Sequence, residues 1–449
     1  MSFPAYPSYR HSGIDWLGEI PADWHVQKFR FTFRESGEKI ESEVVGPMLS
    51  VSGYRGIEVK EYDDENQRRA EEDLIGYRIV RPGQLVVNTM WLNYAGLGVS
   101  AHEGHVSPAY RAYWFTDRSA DPRFIHYLLR SSIYVQGYTQ LLTGIRPNSL
   151  QMSRADLMDF PVLLPPVPVQ TAIAAFLDRE TAKIDALIEE QRRLIALLKD
   201  KRQAVISRAV TKGLDPHAPM KDSGIEWLGK VPAHWEVMAL RRLVDPARPI
   251  TYGIVQPGEP DPQGRFMVRG QDYSRGWVSG EDIFRVSDAV EVPYRRARLQ
   301  TGDVVITIVG AGTGNTAVVP PSFAGANITQ TTARVAPLLN LIGGDYLAIL
   351  IASQLGAVQV ALYQKGAAQP GLNLEHLAAF RFPVPPQREQ AEIVERISPI
   401  LRQMQELTGA AEQAMALLNE RRAALISAAV TGKIDVRGAG AIEQEREAA

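Results

Sequence analysis

Few residues of this 449-residue chain combine the type and spacing that catalysis needs. Gly310-Ala-Gly-Thr-Gly314 has the glycine density of a nucleotide-binding turn, but Asn315-Thr-Ala-Val-Val-Pro-Pro321 follows it and reads as a strand and a break. A dinucleotide fingerprint requires a helix N-terminus there, to aim backbone N–H groups at the pyrophosphate, and an acidic residue about 20 positions on. The segment reads instead as a hairpin, or a loop whose glycines permit close backbone approach. Glu58-Val-Lys60 fits half of a nuclease metal site, yet no convincing upstream aspartate accompanies it and the second copy has no counterpart, so solvated strand charges are the expectation. His11, His25, His102, His105, His126, His217, His234 and His376 show no metal-ligand spacing, and the absence of cysteine removes thiolate nucleophiles, disulfides and Cys-type zinc sites. No G-x-x-x-x-G-K-[ST] phosphate loop and no Asn-Pro-Pro-aromatic methyltransferase motif is present. The chain is therefore expected to hold no metal and no cofactor, and not to be an enzyme. What remains is recognition.

The elements that would position a recognition surface emerge from an internal repeat. The segment SGIDWLGEIPADWHV, Ser12–Val26, returns as SGIEWLGKVPAHWEV, Ser223–Val237, with ten of fifteen positions identical at an offset of 211. Further anchors keep the same order: Arg81–Asn88 with Gln300–Thr307, Arg123–Leu129 with Asp345–Ile351, Phe160–Pro166 with Phe382–Pro386, and Ser207–Asp215 with Ser427–Asp435. The chain is a tandem duplication, and its length exceeds the roughly 250–300 residues at which one core stops growing.

Each copy changes character midway. From about Val26 to Pro166 and from Val237 to Pro386, short apolar runs lie between turn signals, which predicts mostly β domains with one short helix each, near Phe124–Ser131 and Tyr346–Ser353. After each Pro-Pro pair the pattern becomes helical. Between about Val169 and Val210, Leu177, Ile184, Leu198 and Val205 hold heptad positions, and Ile397, Met404, Leu418 and Leu425 answer them 220 residues later. Sustained heptads predict a coiled coil. Gln191 interrupts the seam where the second stripe has Ala411 and reads as a register-setting polar residue or else a tolerated flaw, while Pro399 predicts a kink or restart near the beginning of the second helix.

Such helices are roughly 60 Å long at 1.5 Å per residue, and each needs a partner for its stripe. Antiparallel pairing with one another would relate the copies by a pseudo-twofold axis and leave one β domain at each end, a dumbbell with a helical ruler. The expected class is α+β, with a first domain at 1–166, a long helix at 167–212, a second domain at 213–386, a second long helix at 387–436 and a flexible tail at 437–449.

Two related but unequal heads on a spacer suit an extended ligand, and double-stranded DNA matches pseudo-twofold symmetry, with half-sites recurring about 34 Å apart. Divergent loops then imply two different half-sites. The net charge of −2 gives no global sign of nucleic-acid binding, so contact must be local or helped by a partner. Base edges are read by Arg, Lys, Asn and Gln, and phosphates by almost any donor. The candidates in the first head are Tyr54, Arg55, Trp91, Asn93, Tyr94, His105, Ser107, Tyr110, Arg146 and Asn148; in the second they are Arg269, Gln271, Asp272, Tyr273, Thr313, Asn315, Asn327, Gln330, Lys365 and Gln369. Trp16, Trp24, Trp227 and Trp235 lie in the repeated segment rather than the divergent loops, so packing is expected of them.

The paired SGI[DE]WLG-x-[IV]-P-A-x-W segments, the Phe-Pro-Val and Pro-Pro runs leading to Gln170 and Gln390, the closing Ala209–Thr211 and Ala429–Thr431 motifs, and the Lys365–Asn373 stretch resemble the specificity subunit of type I restriction-modification systems. The first copy departs from that pattern at Gly144–Asn148, where no Gln precedes the Pro. The resemblance covers nearly the whole chain. It implies two target-recognition domains reading a bipartite asymmetric DNA sequence, helices that bind two methyltransferase (modification) subunits, restriction and translocase subunits in the full complex, and a part in phage defence. It also implies that S-adenosylmethionine, ATP and Mg belong to the partners.

A coiled-coil adaptor that binds proteins and not DNA is the alternative from another class. No apolar run approaches the roughly 18 residues of a membrane span and no signal peptide is evident, so the cytoplasm is expected.

Overall fold

The duplicated motif folds as a β-hairpin in both copies. The computed structural model describes residues 3–62, 71–144, 150–274, 276–279, 283–363 and 371–438. Tyr9–His11 pairs antiparallel with Glu19–Pro21, and Met220–Asp222 with Lys230–Pro232. Each connection closes with the same bonds: the Ser12 N–H donates to the Gly18 carbonyl at 2.9 Å and Ser223 to Gly229 at 2.9 Å. The serine hydroxyls accept from the Ile14 and Ile225 N–H groups at 3.1 and 3.2 Å. Gly13 and Gly18, like Gly224 and Gly229, sit at positive φ, where a side chain would be strained. The chemistry of this turn explains why the sequence repeats it so closely. Immediately after it, Trp24 and Trp235 enter the interior, with 1% and 0% of their surface exposed.

Contacts divide the chain into two compact units, Met1–Gln191 with Glu412–Ala449, and Arg192–Ala411. The division cuts through both long helices, Val167–Lys212 and Gln387–Val430, rather than falling at their ends. In the first unit Asp185, on the first helix, pairs with Arg422 near the end of the second at 3.1 Å. In the second unit Ile206, Ala209 and Val210 share a core with Ile393 and Ile397. Within each unit, then, the early part of one helix packs with the late part of the other, which makes the pairing antiparallel.

The heads share a scaffold. In the first unit a four-stranded antiparallel sheet runs in the order Phe33–Glu35, Tyr110–Phe115, Leu85–Asn88, Leu97–Val99; in the second the order is Thr251–Tyr252, Thr332–Val335, Val304–Thr307, Thr316–Val318. The strand after each repeat pairs with the strand before each long helix, His25–Lys28 with Pro161–Leu164 and Glu236–Ala239 with Arg381–Val384. The additions differ. The first head carries the hairpin Leu49–Ser52 and Gly56–Val59, and the second carries a three-stranded sheet of Arg285–Val286, Arg265–Val268 and Asn327–Ile328 over its own small core.

Gln170 and Gln390 show what the motif before each long helix does. Gln170 is fully buried; its amide donates to the Ser119 and Pro165 carbonyls at 2.8 and 2.7 Å, and its oxygen accepts from the Asp121 N–H at 2.8 Å. Gln390 repeats the arrangement with Leu341, Pro385 and Gly343 at 2.8, 2.9 and 3.1 Å. A glutamine supplies donors and an acceptor at once, so it pins the helix start to the loop before the head's own helices. At the other end Gly213 and Gly432 take positive φ after the last helical turn, and a Cβ there would meet the Trp235 and Trp24 rings at 3.1 Å.

Several expectations need correction. Pro399 does not restart the second helix: it lies inside the single helix Gln387–Val430, whose turns on either side of it are anchored to the core of the second unit by Ile393, Ile397 and Leu401. The heptad stripe is buried at Leu177, Ile184, Ile397, Met404 and Ala411, but only half-buried at Leu198, Val205, Leu418 and Leu425, and Leu187 and Leu194 are exposed. Gln191 is half-buried. Each head holds more helix than expected: Pro122–Arg130 continues into Ser132–Leu141, Gly344–Ala352 into Gln354–Tyr363, and short helices span Arg154–Asp159 and Leu374–Ala379. Asp121 starts the first of these by accepting from the Arg123 and Phe124 N–H groups, with Pro122 at the first helical position. At the tail, Arg437 is held by Asp435 and lies over the Tyr6 ring at 5.0 Å; residues 439–449 lie outside the described residues. Trp227 is 38% exposed, unlike Trp16, which stacks on Phe160.

Among the described residues no single helix is long and apolar enough to cross a membrane.

Candidate nucleic-acid interface

In the second head the loops at one end of the four-stranded sheet enclose a cleft of about 530 Å³. Arg269, Gln271, Asn315 and Gln330 line it together with Ile254, Gly312 and Thr307. Backbone bonds fix the loops: Thr307 N–H to the Asn315 carbonyl at 2.8 Å, Gln330 N–H to Ile254 at 2.9 Å, and Ile308 N–H to Thr331 at 2.8 Å. Gly310–Gly314 forms the turn of this hairpin and no helix follows it, so it is a wall of the cleft and not a phosphate loop. Thr313 closes that turn by donating to the Gly310 carbonyl at 2.7 Å. Gln271, Asn315 and Gln330 are exposed. Their amides offer paired donors and acceptors on a rigid frame, the chemistry that reads base edges.

Three second-head candidates leave the list of contact residues because they are buried with their polar atoms engaged. Asp272 is 3% exposed and accepts from the Arg269 N–H at 2.8 Å and from its guanidinium at 3.3 Å, so it positions Arg269 at the cleft. Tyr273 is 3% exposed with its hydroxyl on Thr307 at 2.7 Å. Asn327 is fully buried and donates to Glu291 and to the Tyr294 carbonyl at 2.9 and 3.1 Å. In the first head His105 is 3% exposed, with Nδ1 3.1 Å from the Val45 carbonyl, and is corrected in the same way. Arg146, Asn148, Lys365 and Gln369 lie outside the described residues.

The first head gathers Tyr54, Arg55, Trp91 and Tyr94 along one edge. Arg130 binds that edge together, donating to the Ser52, Gly53, Ala95 and Leu97 carbonyls at 3.2, 2.9, 3.3 and 2.6 Å. Burial draws its guanidinium down to about 10, which leaves it charged at neutral pH. Trp91 and Tyr94 are 55% and 54% exposed with ring centroids 5.6 Å apart, an aromatic pair presented to solvent. Arg55 is exposed and pairs with Glu58 at 3.3 Å. Tyr54 instead turns to the helices: its hydroxyl donates to Asp185 at 2.6 Å and the Arg422 guanidinium covers its ring at 4.4 Å. Asn93 has a buried side-chain oxygen without a partner among the described residues, and Ser107 and Tyr110 are half-buried around a turn bonded at 2.9 Å. Residue types gave no sign of Arg130; an arginine in an apolar helix face, Phe124-Ile-His-Tyr-Leu-Leu-Arg130, was the available signal.

His126 stands behind this edge with Nδ1 accepting from the Val99 N–H at 3.2 Å, and a Cβ on Gly56 would lie 2.7 Å from its ring. Burial, then the nearby Arg130 charge, pushes its pKa down from 6.5 to about 4. A depressed histidine pKa favours the neutral ring in the folded chain, so its contribution is complete above about pH 6.5 and is lost as pH falls towards 4. Proton uptake on unfolding between pH 6.5 and 4 should therefore be about one proton larger in the natural chain than in His126→Gln, measured by pH-dependent denaturant unfolding.

Residues 287–414 match the family model described as type I restriction modification DNA specificity domain. The chain is 28% identical over 287 residues to the Escherichia coli type I restriction enzyme EcoBI specificity subunit, covering 63% of this chain and 60% of that protein. It is 22% identical over 330 residues to the EcoKI specificity subunit of Escherichia coli strain K12, covering 69% and 65%. The matches thus span under two thirds of these relatives' lengths. A chain from a structure described as showing complex assembly and conformational transition of the type I restriction-modification system superposes with a TM-score of 0.61 at 17% identity, covering 92% of this chain and 99% of that one. Fold and repeat define an α+β chain of two units built on one scaffold. By these matches the chain is similar to the specificity subunits of type I restriction-modification systems.

Proposed function

We propose that this chain is the non-catalytic DNA sequence-recognition subunit of a type I restriction-modification complex, in which each head reads one half of a bipartite, asymmetric target on double-stranded DNA. The observation that carries this reading is that two units built on one scaffold present different polar edges: an amide-rich cleft in the second, and an aromatic edge with Arg55 in the first. A common frame with divergent contact residues is what independent reading of two half-sites requires. The long helices dock two methyltransferase subunits, with restriction and translocase subunits in the full complex. Exposed Leu187, Leu194, Leu197, Leu407 and Leu417 support that docking, since apolar side chains along a helix are costly to leave in water. The chain itself uses no cofactor; S-adenosylmethionine, ATP and Mg act in the partners, in the cytoplasm.

Methylome sequencing of cells with and without the gene tests the reading. One asymmetric, gapped motif should vanish on deletion; an unchanged methylome would refute it.

A further inference from the structure

Beside the amide-rich cleft, the second head holds another of about 830 Å³ whose walls include Arg248, Arg295, Arg296, Arg298 and Arg334, with no acidic residue among those lining it. Two of these charges are already matched: Arg248 pairs with Asp303 at 2.6 Å and Arg298 with Glu291 at 2.6 Å. Arg295 and Arg296 are exposed and have no carboxylate partner among the described residues. Arg334 lies beneath, 1% exposed, donating to the Arg248, Pro249 and Arg296 carbonyls at 3.3, 3.0 and 3.3 Å, while its Nε has no partner among the described residues. Carbonyls accept only from its terminal nitrogens, Asp303 and Asp245 offset part of its charge, and burial lowers it only to about 10, so it stays cationic at neutral pH.

Two guanidinium groups without a carboxylate partner among the described residues, Arg295 and Arg296, and the buried Arg334 beneath them therefore converge on one concavity of a protein whose net charge is −2. The segment Arg248–Tyr252 forms part of its wall and continues directly into Ile254–Pro257, which walls the amide-rich cleft. Among the described residues the first head has no equivalent. Where Arg334 faces Val305, the matching strand pair sets Ala112 against Val86, and the nearby Arg78, Arg111 and Arg154 all converge on Glu35 at 3.6, 2.9 and 3.2 Å.

We propose that this cleft is a phosphodiester site: Arg295 and Arg296, backed by Arg334, hold the DNA backbone next to the cleft where Gln271, Asn315 and Gln330 meet base edges. The inference rests on the DNA-reading function proposed above and divides the labour within one head. Phosphate contacts fix register and carry the salt dependence, while base contacts carry the sequence.

The test measures DNA binding by the full chain, co-purified with its methyltransferase partner, to duplexes with and without the target sequence across 50–200 mM salt. Arg295→Gln/Arg296→Gln should weaken binding to both duplexes alike and flatten the slope of log K against log salt by about 2, roughly 0.9 per contact. Arg295→Lys/Arg296→Lys should restore most of the slope, and thermal unfolding of the glutamine variant should match the natural chain. A glutamine variant with an undiminished slope, or one that alters sequence preference while keeping the slope, overturns the phosphodiester site. If the natural complex retains no DNA at any salt, the recognition reading itself falls and the site falls with it.

Discussion

Gln271→Ala/Asn315→Ala/Gln330→Ala should erase the sequence requirement in one half of the methylated motif and leave the other half intact. These side chains are exposed in one cleft whose loops are fixed by backbone bonds, so truncation removes hydrogen-bonding atoms without disturbing the frame. A well-formed amide-to-base pair discriminates by about 1–3 kcal/mol, so each lost contact should cost roughly ten- to a hundredfold in preference at its position. Methylome sequencing of cells carrying the variant reads this directly as degenerate bases confined to one side of the gap. Degeneracy on both sides, or on neither, would contradict the assignment of this cleft.

Trp235→Ala should be the most destabilising single substitution in the repeated segment. The ring is fully buried, touches the position after the first long helix at Gly213, and donates through Nε1 to Glu389 at 3.0 Å, where His234 also bonds at 2.7 Å. Removing such an indole costs about 3–5 kcal/mol through lost burial and the cavity left behind. In a unit of this size that is a fall in Tm on the order of 10 °C. Trp24→Ala removes a ring of equal burial whose Nε1 has no partner among the described residues, so its loss should be smaller by the worth of about one hydrogen bond. Calorimetric unfolding of both variants separates the two contributions; equal losses would show that the Glu389 bond adds nothing.

The duplication and the long helices were readable because each depends on local chemistry. Serine and glycine close the hairpin turn, proline and glutamine start the helices, and heptads mark their packed faces. Burial was not readable in the same way. Asn327 has the residue type of a base reader, but Glu291, 36 positions away in sequence, claims its amide, and only the fold brings them together. Asp272 and Tyr273 looked like companions of Arg269 and Gln271, yet the short helical turn sends these two consecutive side chains inward. Arg295, Arg296 and Arg334 went unnoticed because arginines are common on solvated surfaces, and their lack of carboxylate partners is a property of the three-dimensional arrangement. Pro399 does not end the second helix for a related reason: a proline costs a helix its local bond, but Ile393, Ile397 and Leu401 pack the turns on both sides of it into one core.

Exchange of the first head tests the central claim most directly. Residues 26–166 replaced by the corresponding head of a specificity subunit with a different target should give a methylome motif in which one half is new and the other, with the gap between them, is unchanged. A motif altered in both halves would show that the two heads do not read independently, and would contradict this account.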